Sequence, residues 1–106
     1  MKHFYQISEL AQQRQQLGKL YLEFVRVPSM SAGVYVLSPR STDPQKPHNQ
    51  DELYYVVRGC ALMRIGEEEH KVSGGSIIFV EAHQSHQFYD VTEELLIVVF
   101  FAPAET

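Results

Sequence analysis

The sequence lacks the features that typify membrane, disulfide-bonded and nucleic-acid-binding proteins. Its longest apolar run, residues 95–102, is strand-sized, whereas a membrane-spanning helix needs about 20 apolar residues. The single cysteine excludes an intrachain disulfide, and the N-terminus lacks the charged and apolar regions of a signal peptide. The nine lysines and arginines are scattered and the net charge is -4. We therefore expect a soluble, cytoplasmic protein with no nucleic-acid or membrane partner.

Two common enzyme motifs are also missing. There is no Gly-X-Ser-X-Gly sequence, and Cys60 has no histidine near it along the chain, which disfavours a serine or cysteine hydrolase. The pair Gly74-Gly75 precedes a predicted strand rather than a helix, so it is not expected to bind phosphate.

The pattern of apolar residues predicts an all-β fold with one short N-terminal helix. Residues 8–17 are predicted to be helical, with Ser8 as the N-cap and Gly18 as the stop. Strands are predicted at residues 19–27, 32–37, 53–58, 61–65, 69–72, 76–80, 87–91 and 95–101. A chain of 106 residues suits a single domain, residues 1–106, and successive short strands predict an antiparallel barrel or sandwich over about residues 19–103.

The last predicted strand, residues 95–101, is apolar on both faces. A strand of this kind needs cover on both sides. One face is expected to line the core, and the other needs a second sheet or another subunit. A homodimer is therefore expected.

Among the five histidines, His48 stands out because Glu52 follows four residues later. On a straight strand four residues span about 13 Å, too far for two ligands that each lie about 2.1 Å from one metal. A helix would allow the spacing, but the residues that follow Glu52 favour a strand. A tight turn at residues 49–51 would instead fold Glu52 back beside His48. His3 and His70 are expected at the surface.

These residues resemble the two motifs of the cupin family. In the first motif, a His-X-His pair is followed by a glutamate and then, after six residues, by a glycine; His48, Glu52 and Gly59 match its second half. In the second motif a glycine precedes a hydrophobic strand and a histidine, and Gly75 and His86 keep that spacing. The resemblance covers roughly residues 33–103.

The resemblance implies a small antiparallel β-barrel, a jelly-roll-like double-stranded β-helix, with a divalent metal inside. Carried over by position, the metal ligands are His48, Glu52 and His86. Two histidines and one carboxylate suit Fe, Mn, Ni or Zn and leave positions open for substrate or oxygen. The implied function is that of an enzyme acting on a small organic molecule, a dioxygenase or an isomerase.

The sequence departs from the family pattern at several positions. Lys46 stands where the first motif has its first histidine, Arg40 where it opens with glycine, and Glu81 and His83 where the second motif has proline and glycine. His83 is expected in an exposed turn. Two alternatives stay open: the three polar residues form a metal-free hydrogen-bonded cluster, or the protein binds a small molecule without catalysis, with or without metal.

Four further residues are candidates for a pocket. Lys46 is expected near the barrel mouth, where its charge would attract an anionic substrate. Strand parity places Tyr35, Tyr54 and Phe88 toward the interior. There they either line a cavity or fill the core, and aromatic side chains in a small barrel commonly do the latter.

Overall fold

The computed structural model describes residues 1–106, with one helix and six antiparallel strands. The helix is α1 (Ile7–Leu17), and the strands are β1 (Tyr21–Val27), β2 (Met30–Leu37), β3 (Asp51–Ile65), β4 (Glu68–Ser73), β5 (Ile77–Val80) and β6 (His86–Ala102). Along the sheet the strands follow the order β1-β2-β6-β3-β4, and β5 also pairs with β3. The predicted all-β class with one short helix is confirmed. The helix is neither long nor apolar enough to cross a membrane.

Two long strands, β3 and β6, hold the barrel together. They pair with each other along most of their lengths. The first half of β3 also pairs with β5 and its second half with β4. The prediction of two separate strands in each region was wrong, because the β3–β6 ladder continues through register shifts between Val56 and Leu62. Gly59 lies among these shifts with a φ of +108°, a conformation that side chains rarely adopt.

The alternation of residues along β3 decides what faces the barrel interior. Glu52, Tyr54 and Val56 point inward and are buried, whereas Leu53 and Tyr55 point outward and are each 40% exposed. The period of two thus places a carboxylate on the same face as the apolar core. The main core also includes Leu37, Phe88, Leu95 and Ile97, all fully buried.

The helix α1 ends where the sequence predicts but begins earlier. Gly18 adopts a left-handed φ of +68° and its backbone N–H donates to carbonyls of the last turn. The N-cap is Gln6, which makes no side-chain capping hydrogen bond, and Ser8 lies inside the helix. The helix extends to Ile7 because this residue packs with the apolar face that docks on the sheet.

The outer face of β6 is partly covered by α1. Leu10 of the helix, Val34 of β2 and Val98 of β6 form a second buried cluster. The second apolar face of β6, which was expected to need another sheet or subunit, therefore obtains part of its cover from the chain's own helix.

Candidate metal centre

The centre is built from three separate parts of the chain. His48 comes from the loop between β2 and β3, Glu52 from the start of β3, and His86 from the first residue of β6. Glu52 and His86 are not opposite each other in the β3–β6 ladder, where Glu52 pairs with Phe101 and His86 with Ile65. They meet because both side chains point into the barrel interior. One possible ligand atom from each residue lies within 4.8 Å of those of the other two.

A bend brings His48 beside Glu52. The chain bends at Asn49 and Gln50 and enters β3 at Asp51, so the local structure is a bend rather than a β-hairpin. His48 Nε2 then lies 3.9 Å from Glu52 Oε1. The His48 carbonyl accepts a hydrogen bond from the backbone N–H of His83 at 2.7 Å, which ties this loop to the turn before β6.

Glu52 and His86 face each other in the barrel interior. Glu52 Oε1 and His86 Nε2 are 3.3 Å apart, and both side chains are 1% exposed. His86 Nδ1 lies 2.9 Å from the Gln84 carbonyl and donates to it. In the neutral ring Nε2 therefore carries a lone pair directed at a carboxylate, so that two acceptors meet.

The charge of this pair is unbalanced within the protein. Neither Glu52 oxygen nor His86 Nε2 has a hydrogen-bond partner in the protein, and an unpaired buried carboxylate is costly. Burial lowers the pKa of His86, but Glu52 and the Gln84 carbonyl outweigh it and raise the pKa overall. The site therefore attracts positive charge, either a proton on His86 or a metal ion between the two groups, and the chemistry of the donors fits a divalent metal.

The His48 ring is oriented by the C-terminal segment. Its Nδ1 lies 2.9 Å from Glu105 Oε2, so an Nδ1–H donated to this carboxylate leaves Nε2 free on the side of Glu52. Burial raises the pKa of Glu105, and the neighbouring His48 opposes that rise. Glu105 is itself anchored, because its N–H donates to Ser31 Oγ at 3.0 Å and its carbonyl accepts from Arg26 at 2.7 Å.

A cavity of about 140 Å³ adjoins His48 and is lined by Tyr21, Tyr35, Gln45, His48, Val99, Phe101 and Glu105. The Tyr21 hydroxyl is buried and has no hydrogen-bond partner. Burial raises the pKa of Tyr21, so the hydroxyl stays protonated and can donate. Gly33 makes room for this ring, since a methyl group at that position would overlap the phenol.

The four predicted pocket residues have different surroundings. Tyr35 lines the cavity and its hydroxyl donates to Asp43 at 2.7 Å. Tyr54 donates to Gln45 Oε1 at 2.8 Å, beside the candidate metal centre. Phe88 is fully buried and packs edge-on against Tyr54, with ring centroids 5.1 Å apart, as a core residue. Lys46 is exposed and does not line the cavity.

The side chains of the other histidines are exposed. His3 and His70 are exposed, and His70 contacts Glu68 on the hairpin surface. His83 is exposed with a φ of +67°, at the position where the cupin motif has glycine.

Asp43, Gln45, Tyr21 and Glu105 are site residues that the sequence did not indicate. Asp43 and Gln45 lie in a proline-rich loop without periodicity, and Glu105 lies beyond the last strand. The one available signal was Asp43 itself, which is the only carboxylate between residues 38 and 50.

The fold and the centre together define a class: double-stranded β-helix barrels that carry a two-histidine, one-carboxylate cluster inside. The chain belongs to the cupin family, because the Cupin domain model of that family matches residues 33–101. It is similar along its whole length to an uncharacterised protein of Streptomyces coelicolor, with 42% identity over 106 residues and complete coverage of both chains.

Solved structures agree on the fold. An uncharacterised conserved protein with a double-stranded β-helix domain from Klebsiella pneumoniae superposes with a TM-score of 0.82 at 16% identity, covering 97% of this chain and 91% of that one. The DMSP lyase DddQ from Ruegeria pomeroyi superposes with a TM-score of 0.70 at 14% identity, covering 82% of this chain and 49% of that chain. At these identities the similarity concerns the fold alone.

Proposed function

We propose that this protein binds one divalent metal ion through His48, Glu52 and His86 and acts on a small organic molecule held in the adjoining cavity. The observation that carries the proposal is the pair of buried acceptors, Glu52 and His86, which face each other at 3.3 Å with no donor between them. Such a pair is unfavourable unless a proton on His86 or a bound metal ion balances the charge, and we propose the metal ion.

Each of the three proposed ligands has its own role and its own support in the protein. Glu52 contributes negative charge, His86 is held by the Gln84 carbonyl, and His48 is held by Glu105. A divalent metal bound there supplies Lewis acidity toward a carbonyl oxygen, or a coordination position for oxygen. Tyr21 offers a hydrogen-bond donor to the substrate, and the Phe101 ring packs against the His48 ring with centroids 4.9 Å apart.

The volume of the cavity limits the size of the substrate. Its volume of about 140 Å³ admits a small molecule rather than a polymer segment. The reaction we propose is that of a dioxygenase or an isomerase, and among similar folds the DMSP lyase of Ruegeria pomeroyi is an enzyme. Lys46 is exposed, and an approaching anion would meet its charge outside the cavity.

The first test is metal analysis by inductively coupled plasma mass spectrometry on untagged protein purified without chelators. We expect about one Fe, Mn, Ni or Zn ion per chain, because the cluster provides one set of ligands. His48→Ala and His86→Ala should each lose most of this metal. His70→Ala is the matched control, because His70 is an exposed histidine outside the centre, and it should keep the wild-type content.

Substoichiometric metal that is unaffected by the two ligand substitutions would contradict the proposed centre. The three residues would then act as a protonated, hydrogen-bonded cluster. Metal stoichiometry that depends on His48 and His86 supports the proposal whether or not a substrate has been found.

The alternative function is non-catalytic binding of a small molecule, with or without metal. The observation that favours it is the buried Tyr21 hydroxyl, which has no partner in the protein and can recognise a ligand without any metal. Denaturing the purified protein would then release a bound metabolite that mass spectrometry detects. Oxygen-uptake and isomerisation assays would show no turnover.

We also propose a homodimer in the cytoplasm, formed through the outer apolar surface, which consists of Leu53, Tyr55, Ile77 and Phe79. These side chains are between 40% and 68% exposed, and apolar groups clustered in this way typically mark an interface. No charged residue lines the groove that joins this surface to α1. Two copies of a chain with a net charge of -4 can therefore meet here without apposing like charges.

Light scattering after size exclusion tests the dimer. The wild type should elute with twice the chain mass of 12.2 kDa, and Ile77→Lys with Phe79→Lys should yield a monomer because two buried charges would oppose association. The control is Leu17→Lys, an exposed apolar residue outside the groove. A wild-type monomer at micromolar concentration would contradict this interface.

A further inference from the structure

Gln45 has an amide side chain that reaches the proposed metal centre. It lies next to Lys46, which stands where the family pattern has the first histidine of its first motif. Gln45 Oε1 is 3.4 Å from His48 Nε2, the nitrogen that faces Glu52. The same oxygen accepts the Tyr54 hydroxyl at 2.8 Å. An amide oxygen has two lone pairs, so one remains for a further partner.

The orientation of this amide is determined by Asp43. Gln45 Nε2 lies 3.1 Å from Asp43 Oδ2, and the Gln45 backbone N–H donates to Asp43 Oδ1 at 3.2 Å. An ionised carboxylate only accepts hydrogen bonds, so the amide nitrogen must be on the side of Asp43 and the oxygen on the side of His48. The opposite orientation would place two acceptors together.

Asp43 is rigidly held in turn. It is 2% exposed, and it accepts hydrogen bonds from the Tyr35 hydroxyl at 2.7 Å and from the Phe88 backbone N–H at 3.0 Å. The Phe88 contact fastens the loop of Gln45 to β6, the strand that also carries His86. These contacts hold the loop that carries Gln45 next to the proposed metal centre.

Three separations between donor atoms are compatible with one shared ion. Two ligand atoms that each lie about 2.1 Å from one metal are about 3.0 to 3.4 Å apart for octahedral to tetrahedral angles. The separations of 3.3 Å (His86 Nε2 to Glu52 Oε1) and 3.4 Å (His48 Nε2 to Gln45 Oε1) agree with this range. The 3.9 Å between His48 Nε2 and Glu52 Oε1 corresponds to a wider angle.

We propose that Gln45 is the fourth protein ligand of the metal, through Oε1, and that Asp43 is the residue that orients it. This inference rests on the proposed metal centre and adds a second oxygen donor to the two histidines and Glu52. Replacing an imidazole by a carbonyl oxygen makes the site harder, which favours Mn²⁺ or Fe²⁺ relative to Zn²⁺. The loop thereby supplies a ligand one residue before the position at which the motif has a histidine.

The test measures metal affinity, without any substrate, on the full chain. Binding of Mn²⁺ is followed by electron paramagnetic resonance of the free ion, and binding of Zn²⁺ by competition with a chromophoric chelator. Gln45→Ala should weaken Mn²⁺ binding by about tenfold or more, and Asp43→Asn should weaken it less. Gln45→His should shift the preference toward Zn²⁺. Lys46→Ala is the matched control and should leave both affinities unchanged.

The visible spectrum of the Co²⁺-loaded protein separates a ligand from a structural residue. Gln45→Ala and Gln45→His should both change the ligand-field bands, because the coordinating atom changes, while Lys46→Ala retains the wild-type spectrum. Gln45→His retains a large side chain with a coordinating atom, so it tests the proposal if Gln45→Ala fails to fold.

Two outcomes overturn the proposal in distinguishable ways. If the wild type binds metal, His86→Ala abolishes it, and the Gln45 variants keep the wild-type affinity and spectrum, then Gln45 is not a ligand and only this inference fails. If the wild type binds no divalent metal, the proposed centre fails with it.

Discussion

Glu52→Gln should abolish metal binding and yet leave the metal-stripped protein at least as stable as the wild type. The reason is that both oxygens of this buried carboxylate lack a hydrogen-bond donor, so its charge is a cost to the fold that only a cation offsets. Removing the charge removes the cost and the ligand together. A residue kept for stability alone would behave in the opposite way.

Thermal unfolding with and without added metal checks this expectation. Metal at 100 times its dissociation constant stabilises the wild type by about 2.7 kcal/mol, which is roughly 10–20 °C for a domain of this size. Glu52→Gln should show no such rise in Tm. The measurement is made at about pH 9, because the raised pKa of His86 favours a proton on its ring near neutral pH, and that proton would replace the metal.

The matched control is Glu81→Gln, which alters an exposed carboxylate in the turn before β6 and should retain the metal-dependent rise. A metal-stripped Glu52→Gln protein that loses more than about 2 kcal/mol would contradict the expectation. That result would identify Glu52 as a structural partner of His86.

The second large effect is expected at Gly59, where Gly59→Ala should destabilise the protein by more than about 3 kcal/mol. Two causes add. A φ of +108° is unfavourable for any residue with a side chain, and the added methyl group would overlap the carbonyl oxygen of Glu94 on β6. The irregular step of β3 across β6 depends on this close approach of two backbones.

Gly75→Ala separates the two causes. Gly75 has a comparable φ of +95°, but an added methyl group there would meet nothing within 4 Å. We expect it to cost about 1–3 kcal/mol, the penalty of the backbone conformation alone. Urea unfolding of both variants measures the difference. Equal losses would mean that the β3–β6 pair relaxes around the methyl group and that the overlap carries no cost.

Much of the fold could be predicted because local patterns decide it. The period of two along β3 puts Glu52, Tyr54 and Val56 on one face whatever the partner strands are, and Gly18 ends α1 by its own conformational freedom. The full length of the long strands could not be predicted, because a glycine such as Gly59, considered alone, indicates the end of a strand. In the folded chain β3 continues beyond Gly59 because it remains paired with β6 on both sides of this residue.

His48, Glu52 and His86 could be predicted as a group because their spacing matches two motifs of one family. The folded chain brings their ligand atoms within 4.8 Å of one another. The interpretation that Lys46 is near the mouth of a pocket rested on position alone. Lys46 is exposed, and the neighbouring side chain of Gln45 lines the cavity instead. In a loop without regular structure, a sequence position does not determine the direction of a side chain.

The sequence by itself determined the β-rich class through its apolar periodicity. Its resemblance to two motifs indicated the family and predicted the three polar residues whose ligand atoms the structure brings together. Only the tertiary structure decided that Asp43 orients Gln45, that Glu105 holds His48, and that α1 covers part of the outer face of β6. These contacts join residues of loops and chain ends whose paths are set by packing and by hydrogen bonds to distant strands. No local preference of the backbone encodes them.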